Sequence, residues 1–498
     1  MLGGVPYLGT LRNLLVGACA LLFLCTAGSS SVANRGQAYR YSYENVLGTS
    51  LDLKIVAVSE GAADRAEQKA LDEIERLSSI LSGYDPASEF SRWVQTRNRR
   101  VPVSPELFEV LRLFDQWRER TGGALDASAE TITRLWKHAA SEQRLPTSAE
   151  LEEVVASVRQ EHWQLDNAAH TATHLTDAPL VLNSFAKSYI VNRAAEAAMR
   201  SDGVTGVVVD IGGDLVVRGA ITEPVAIADP FSDAENGEPI ARLAIHDRAV
   251  ATSGSYRRGV EIAGRHYSHI VDPRTGRTAE DIVSSTVVSP DGATAGALAT
   301  AFSVMTPAES MRLAAAVSNT DFLIVSRSGK RYSSLPLAPL PAAAASPPGF
   351  WDVSMELTVH LELARVDGYR ARRPFVAIWI EDKDKSPVRL LALWYQKSRY
   401  ASELKAWWKS DTLRAAAATV SSATRSPGKY TVRWDGKDNS GKYVKAGKYT
   451  VYIEASREHG TYQLIRGEMD FSGTPQQTQL QGGAEVIAAS LEYRKAGK

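Results

Sequence analysis

The segment Ser268-His269-Ile270-Val271-Asp272-Pro273-Arg274-Thr275-Gly276-Arg277 puts an imidazole, a carboxylate, a hydroxyl and two guanidinium groups on one Pro/Gly turn. Guanidinium and backbone donors neutralise phosphate charge, and an imidazole moves protons near neutral pH, so the segment is equipped for phosphate-ester chemistry. Its bland alternative is a solvated hairpin. Val207 to Asp214 reads as a strand running into the turn Gly212-Gly213, whose small residues let backbone N–H groups approach an anion closely. Alone, that pattern is only a turn. Ala251 to Arg258 adds the hydroxyls of Thr252 and Ser253, a glycine, Tyr256 and a basic pair. Asn183 to Tyr189 precedes a helix running on to Met199, so Asn183 or Ser184 is expected to cap it, leaving N–H donors for an anion beside Lys187.

Those segments need a scaffold. Ala66, Ala70, Ile74, Leu77 and Leu81 recur at helical spacing, as do Leu107, Val110, Leu111 and Phe114. Val204 to Asp210, Glu223 to Ala228 and Ile282 to Ser289 read as short strands bounded by Gly, Pro and Asp. The unit 39–332 is therefore expected to be α+β. A Pro/Ala-rich spacer, 333–349, follows, and a composition of that kind builds no core. In 350–475, Met355 to Leu363 alternates apolar and polar residues, with further strands at Phe375 to Ile380 and Tyr449 to Ile453. This reads as an all-β sandwich with a helical insert near Ser402 to Ala418. Residues 476–498 read as a polar tail ending in a short helix.

With 57 basic and 57 acidic residues among 498, no overall field gathers nucleic acid. The length suggests roughly three domains. Arg12, the apolar run Leu14 to Leu24 and the small residues through Ser31-Val32-Ala33 have the layout of a signal peptide, 1–33, cleaved after Ala27 or Ala33. A lipidated Cys19 or an uncleaved anchor is the alternative, and the only route to membrane contact. Cys19 and Cys25 both fall in this segment, so the mature chain has no thiol and no disulfide. The expected location is the periplasm or cell envelope.

The order and spacing of these segments resemble the ApbE family of flavin transferases over nearly all of 39–332. Leu47-Gly48-Thr49 stands for the family's Met-Gly-Thr, and Tyr84 to Glu89 for its Tyr-x-x-x-Ser-Glu. Gly123-Ala124-Leu125-Asp126 stands for Gly-x-Phe-Asp, and Ala186-Lys187-Ser188 for Ala-Lys-Gly. Gly212 to Asp214, Ser253 to Tyr256 and His269 to Gly276 match Gly-Gly-Asp, Ser-Gly-x-Tyr and His-Ile-x-Asp-Pro-x-Thr-Gly. The resemblance implies an enzyme that uses Mg2+, splits FAD and joins FMN through a phosphoester to a Thr or Ser of a target protein of the cell envelope, releasing AMP. It implies that Tyr84 stacks on the flavin, that Asp126, Lys187, Gly212, Gly213, Asp214, Ser253, Tyr256 and Thr275 line the cofactor cleft, and that His269 and Asp272 sit at the chemistry. Thr300 and the carbonyl of Ser184 would hold the metal.

The family's Ala-Asp-Ala-x-Ala-Thr reads here Ala295-Gly296-Ala297-Leu298-Ala299-Thr300, without its carboxylate, and Asp-Leu-Gly-Gly reads Val181-Leu182-Asn183-Ser184. Asp291 could compensate, and an Asp restored at Gly296 would raise magnesium dependence. A flavin-binding or electron-transfer protein that keeps the fold without the chemistry is the alternative function, and a cell-envelope interaction protein a third. The second unit resembles a domain that accompanies such proteins, marked by Trp434-Asp435-Gly436-Lys437-Asp438 and Arg457-Glu458-His459-Gly460. Within it Ser421-Ser422-Ala423-Thr424 is similar to the acceptor motif of flavinylated proteins, which would make Thr424 an FMN acceptor.

Overall fold

The computed structural model describes residues 36–255, 258–336, 346–365, 373–395, 398–422, 424–457 and 460–496, with the backbone alone at 398, 399, 418 and 419. The signal-peptide segment, Tyr256, most of the spacer, and Glu458 and His459 lie outside the described residues. Those described belong to one compact unit, Gly36–Lys498.

The first half is built on an eight-stranded antiparallel sheet whose spatial order is the chain order: β1 (Gln37–Val46), β2 (Thr49–Ala57), β3 (Val204–Ile211), β4 (Asp214–Gly219), β5 (Ala249–Gly254), β6 (Ile282–Ser289), β7 (Asp321–Ser326) and β8 (Arg331–Ser333). Period-two alternation sets its faces. Leu51, Leu53, Ile55 and Ala57 of β2 turn into the main core with Val207, Val209 and Ile211 of β3. Val208, Leu215 and Val217 point the other way, under a hairpin of Thr222–Ile227 and Ala241–His246.

The helices packed on the main-core side include α1 (Glu60–Leu81), α2 (Pro105–Arg120), α3 (Ala186–Met199) and α4 (Gly292–Phe302). Ser59 caps α1 by accepting from the Ala62 N–H, and the buried stripe Ala66, Ala70, Ile74, Leu77, Leu81 is the one the periodicity predicts. α3 and α4 meet through small residues. Gly292 and Gly296, four apart, share one face of α4; a Cβ at Gly292 would lie 2.5 Å from the Ser188 carbonyl oxygen and one at Gly296 would lie 2.3 Å from Ser188 Oγ. The glycines allow α4 to seat against the start of α3.

The second half is a sandwich. Its strands are β9 (Met355–Leu363), β10 (Phe375–Asp382), β11 (Pro387–Trp394), β12 (Gly428–Trp434), β13 (Lys448–Ser456), β14 (Tyr462–Asp470), β15 (Gln476–Leu480) and β16 (Val486–Lys495). One sheet runs β12-β9-β16-β15; the other runs β11-β10-β13-β14, extended beyond β11 by Ser421–Ser422. Trp351, Trp434, Phe471 and Tyr493 interlock between them, with Trp351 and Trp434 centroids 4.7 Å apart. Gly436 is required there: its φ is +76° and a Cβ would fall 2.0 Å from the Trp351 ring. The helical insert, Lys405–Trp408 and Asp411–Val420, covers the outer face of the five-stranded sheet with Leu404, Trp407 and Leu413.

The expected C-terminal tail is corrected. Gln476–Leu480 is an edge strand, and Val486–Lys495 is no helix but the strand between β9 and β15. It buries Val486, Ala489, Leu491 and Tyr493 in the sandwich core.

Candidate active site

The start of α3 organises the site. Phe185 holds the N-cap position and no side chain caps the first turn, which corrects the expected capping by Asn183 or Ser184. Asn183 instead donates from Nδ2 to Tyr84 Oη at 2.7 Å, and the Ser184 carbonyl accepts from Thr300 Oγ1 at 2.9 Å. An uncapped helix N-terminus keeps its partial positive charge available to an anion. Tyr84 is 82% exposed, a bare ring beside that end.

Lys187, in the first turn, donates to the Gly212 carbonyl at 3.2 Å and lies 3.4 Å from Asp214 Oδ2. Asp214 is buried and accepts from Ser188 Oγ at 2.6 Å. Burial raises its pKa, while Lys187 and Ser188 pull it back. Gly212 and Gly213 have φ of 57° and 88°, the left-handed pair that a two-residue hairpin of this twist demands. A Cβ at Gly212 would lie 2.6 Å from Thr49 Cγ2, whereas one at Gly213 would meet nothing within 4 Å, so the turn faces open space through Gly213.

Behind the turn, Asp210 Oδ1 accepts from the Gly213 N–H at 3.0 Å, and Asp210 pairs across the sheet with Asp52. Burial first, then the Asp52 charge, push the Asp210 pKa up to about 7. Below about pH 4 folded and unfolded chains both hold the proton; as pH rises to about 7 only the unfolded chain has released it, so this contribution to stability fades across that window. Thermal melts at pH 4 and 7 should show Asp210→Asn losing less stability over the interval than the wild type; parallel loss would refute this.

Thr300 near the end of α4, Ser253 on β5 and the Ser184 carbonyl form a neighbouring cluster, with Ser253 Oγ 3.5 Å from Thr300 Oγ1. Thr300 and the Ser184 carbonyl are the expected metal ligands, together with the missing carboxylate at Gly296, and Ser253 is expected to line the cofactor cleft beside them. Magnesium takes hard oxygen ligands in octahedral geometry, with one or two carboxylates in its usual protein sites. Here the hydroxyl already donates to the carbonyl, the position of the carboxylate is closed by Ser188, and no group of three His, Cys, Asp or Glu able to hold a metal is present among the described residues. Asp291 does not compensate. It caps α4 by accepting from the Thr294 N–H at 2.7 Å, roughly 13 Å from Thr300 along the helix at 1.5 Å per residue. The residues present do not fit the ion.

The Ser268 to Thr278 turn is a second, separately braced group. Trp136 Nε1 donates to the Gly276 carbonyl at 2.9 Å, and the Asp272 carbonyl accepts from the Gly276 N–H at 2.8 Å. Asp272 is bound by Arg274, Oδ1 to Nε at 2.9 Å and Oδ2 to Nη2 at 2.9 Å, and Arg274 also reaches Glu309 at 3.2 Å. The Asp272 carboxylate is thus committed to the turn. His269 is exposed, with Nδ1 3.1 Å from the Arg258 carbonyl. Partial loss of water on one side of the ring lowers its pKa from the ordinary histidine value, against the opposing hydrogen bond to the Arg258 carbonyl, so the neutral form prevails at pH 7, and Nε2 has no protein partner among the described residues. Thr275 is exposed, its Oγ1 accepting from the Arg277 N–H at 3.3 Å.

Asp126 points inward. It caps a short turn through Ser128, ion-pairs Arg118 Nε at 2.8 Å and is 4% exposed, while a Cβ at Gly123 of its segment would lie 3.8 Å from Arg274 Cγ. No hydrogen bond joins His269 or Asp272 to Lys187 or Asp214 among the described residues. Sequence alone makes Asn183 a cap and assigns no contact to Ser188 or Asp210. Only the double glycine hinted at Asp210, and nothing in one sequence pairs Ser188 with Gly296.

Comparison with known proteins gives the same outline. The ApbE family model matches residues 47–324, more than half of the chain, and the model described as "Predicted periplasmic protein (DUF2271)" matches 356–488. A Vibrio cholerae protein called FAD:protein FMN transferase is 29% identical over 317 residues, 61% of this chain and 91% of that one. A Salmonella typhimurium protein of the same name is 30% identical over 255 residues, 49% and 72% of the two chains. The crystal structure of a Thermotoga maritima ApbE protein superposes with a TM-score of 0.53 at 27% identity, over 59% of this chain and 96% of that one. An α+β unit with these motifs in this order, followed by a sandwich, makes the chain a member of the ApbE family with a C-terminal DUF2271 domain.

Proposed function

We propose that the chain is an exported FAD:protein FMN transferase. The observation that carries this reading is the uncapped start of α3 with Lys187 and the open Gly212-Gly213 turn beside it, in a chain whose relatives bear that name. The diphosphate of FAD lies at that helix end, neutralised by Lys187 and backbone N–H groups, with Tyr84 stacked on the flavin. A Thr or Ser hydroxyl of the acceptor protein attacks the phosphorus on the FMN side. The new P–O bond forms as the P–O bond to AMP breaks, and AMP leaves with the electron pair. His269, neutral at pH 7 and exposed, takes the hydroxyl proton. Asp272 acts through Arg274 to hold the turn that carries it. The donor set around Thr300 does not suit magnesium, so the charge falls to Lys187 and the helix end.

That same missing carboxylate supports a second reading, a flavin-binding protein of the same fold without turnover. Export rests on the N-terminal segment and on the DUF2271 description; no helix among the described residues is long and apolar enough to cross a membrane. Fluorescence titration with FAD, followed by chromatography for AMP in the presence of an acceptor domain, separates the readings. Binding with AMP release is expected; binding without AMP leaves the second reading standing, and no binding removes both.

A further inference from the structure

Among the described residues, polar contacts between the sandwich and the first half include two groups. In one, Glu235 pairs with Arg425 at 3.1 Å, Asp233 with Arg433 at 2.9 Å, and the Asn236 amide bridges the Arg433 N–H and carbonyl at 2.7 and 2.8 Å. In the other, two sandwich residues converge on Glu44 of β1. Thr424 Oγ1 donates to Glu44 Oε1 at 2.9 Å, and Arg373 Nη1 ion-pairs Oε2 while its Nη2 reaches Asn45 Oδ1 at 3.2 Å. Both Glu44 oxygens are used, and Thr424 is 2% exposed.

Glu44 sits where the chain is bent against its preferences. The β1–β2 register slips between Tyr43 and Val46, and Asn45, Leu47 and Gly48 have φ of 60°, 50° and 77°. A left-handed backbone costs about 1–2 kcal/mol at a residue such as Leu, so this hairpin does not hold its shape by local preference. The next residues reach the site. Thr49 packs on Gly212, and the Ser50 carbonyl accepts from the Gly212 N–H at 3.1 Å. Gly212 in turn presents the carbonyl that Lys187 binds.

We infer that Arg373 and Thr424 are positioning residues for the flavin site: by clamping Glu44 they fix the strained β1–β2 hairpin, which seats the Gly212-Gly213 turn and Lys187. The DUF2271 domain is then part of the transferase site's support, and Thr424 is a buried clamp in place of an exposed acceptor. Naming the ligand as FAD rests on the function proposed above; the mechanical link does not.

The test uses the full chain carrying Arg373→Ala, Thr424→Val, Arg373→Lys or Arg433→Ala, the last removing a docking contact away from the hairpin. In hydrogen–deuterium exchange without ligand, Arg373→Ala and Thr424→Val should speed exchange in peptides covering 47–52 and 207–216 by about tenfold. Arg373→Lys should recover most of the protection, and Arg433→Ala should leave those peptides unchanged. In parallel, the first two variants should raise the KM for FAD at least about fivefold with kcat within about twofold. Unchanged exchange in Arg373→Ala and Thr424→Val, or equal acceleration in Arg433→Ala, overturns the inference. A wild type that binds no FAD while the exchange pattern holds would sink the assigned ligand and leave the clamp.

Discussion

Gly296→Asp alone should destabilise the protein by roughly 1–3 kcal/mol, the usual cost of overpacking, and should create no magnesium dependence. The reason is Ser188: a Cβ at position 296 lies 2.3 Å from its Oγ and 2.9 Å from its Cβ, at the contact where α4 seats on α3. This reverses the expectation from sequence that restoring the carboxylate suffices. Ser188→Gly with Gly296→Asp should behave differently, because the first change vacates the volume that the second fills. We expect that pair to regain the part of the thermal stability lost to overpacking, but not the part that goes with the Ser188 hydrogen bond to buried Asp214, and to bind FAD at least about tenfold more tightly in magnesium than in EDTA, a difference of about 1.4 kcal/mol. The wild type should show no such difference. A single Gly296→Asp variant as stable as the wild type and already magnesium-dependent would show that the helix contact yields easily.

Lys187→Ala should have the largest effect on the ligand. Among the described residues the ammonium is the one basic side chain bound to the Gly212 turn, and a hydrogen bond to a charged group is worth about 1.5–3 kcal/mol, so FAD affinity should fall roughly ten- to a hundredfold. The same change leaves Asp214 buried with Ser188 as its remaining partner, which also costs stability. Lys187→Ala with Asp214→Asn removes the stranded charge. It should melt nearer to the wild type than Lys187→Ala does, while FAD binding stays weak. If affinity returned along with stability, Lys187 would be serving the fold and not the ligand.

Much of this arrangement was legible in the chain. The stripe of α1, the alternation of β9 and the run of β-branched residues in β6 are local patterns with one physical reading, and each element forms there. The Gly-Gly turn and the His269 to Gly276 turn are equally local, since their special backbone angles are written in their residue types. What sequence could not give is contact between distant segments. Asn183 has the composition of a helix cap, but Tyr84 claims its amide. Val486–Lys495 includes residues that favour helix, but pairing with β9 overrides that propensity. Ser188 and Gly296 look unrelated until α3 and α4 pack.

The most direct test of transferase activity is the intact mass of an acceptor domain after incubation with the full chain and FAD. The acceptor should gain the mass of one FMN phosphoester, in EDTA as well as in magnesium, and should gain it far more slowly with Lys187→Ala at the same FAD concentration. An acceptor of unchanged mass, with FAD demonstrably bound, would contradict transferase activity.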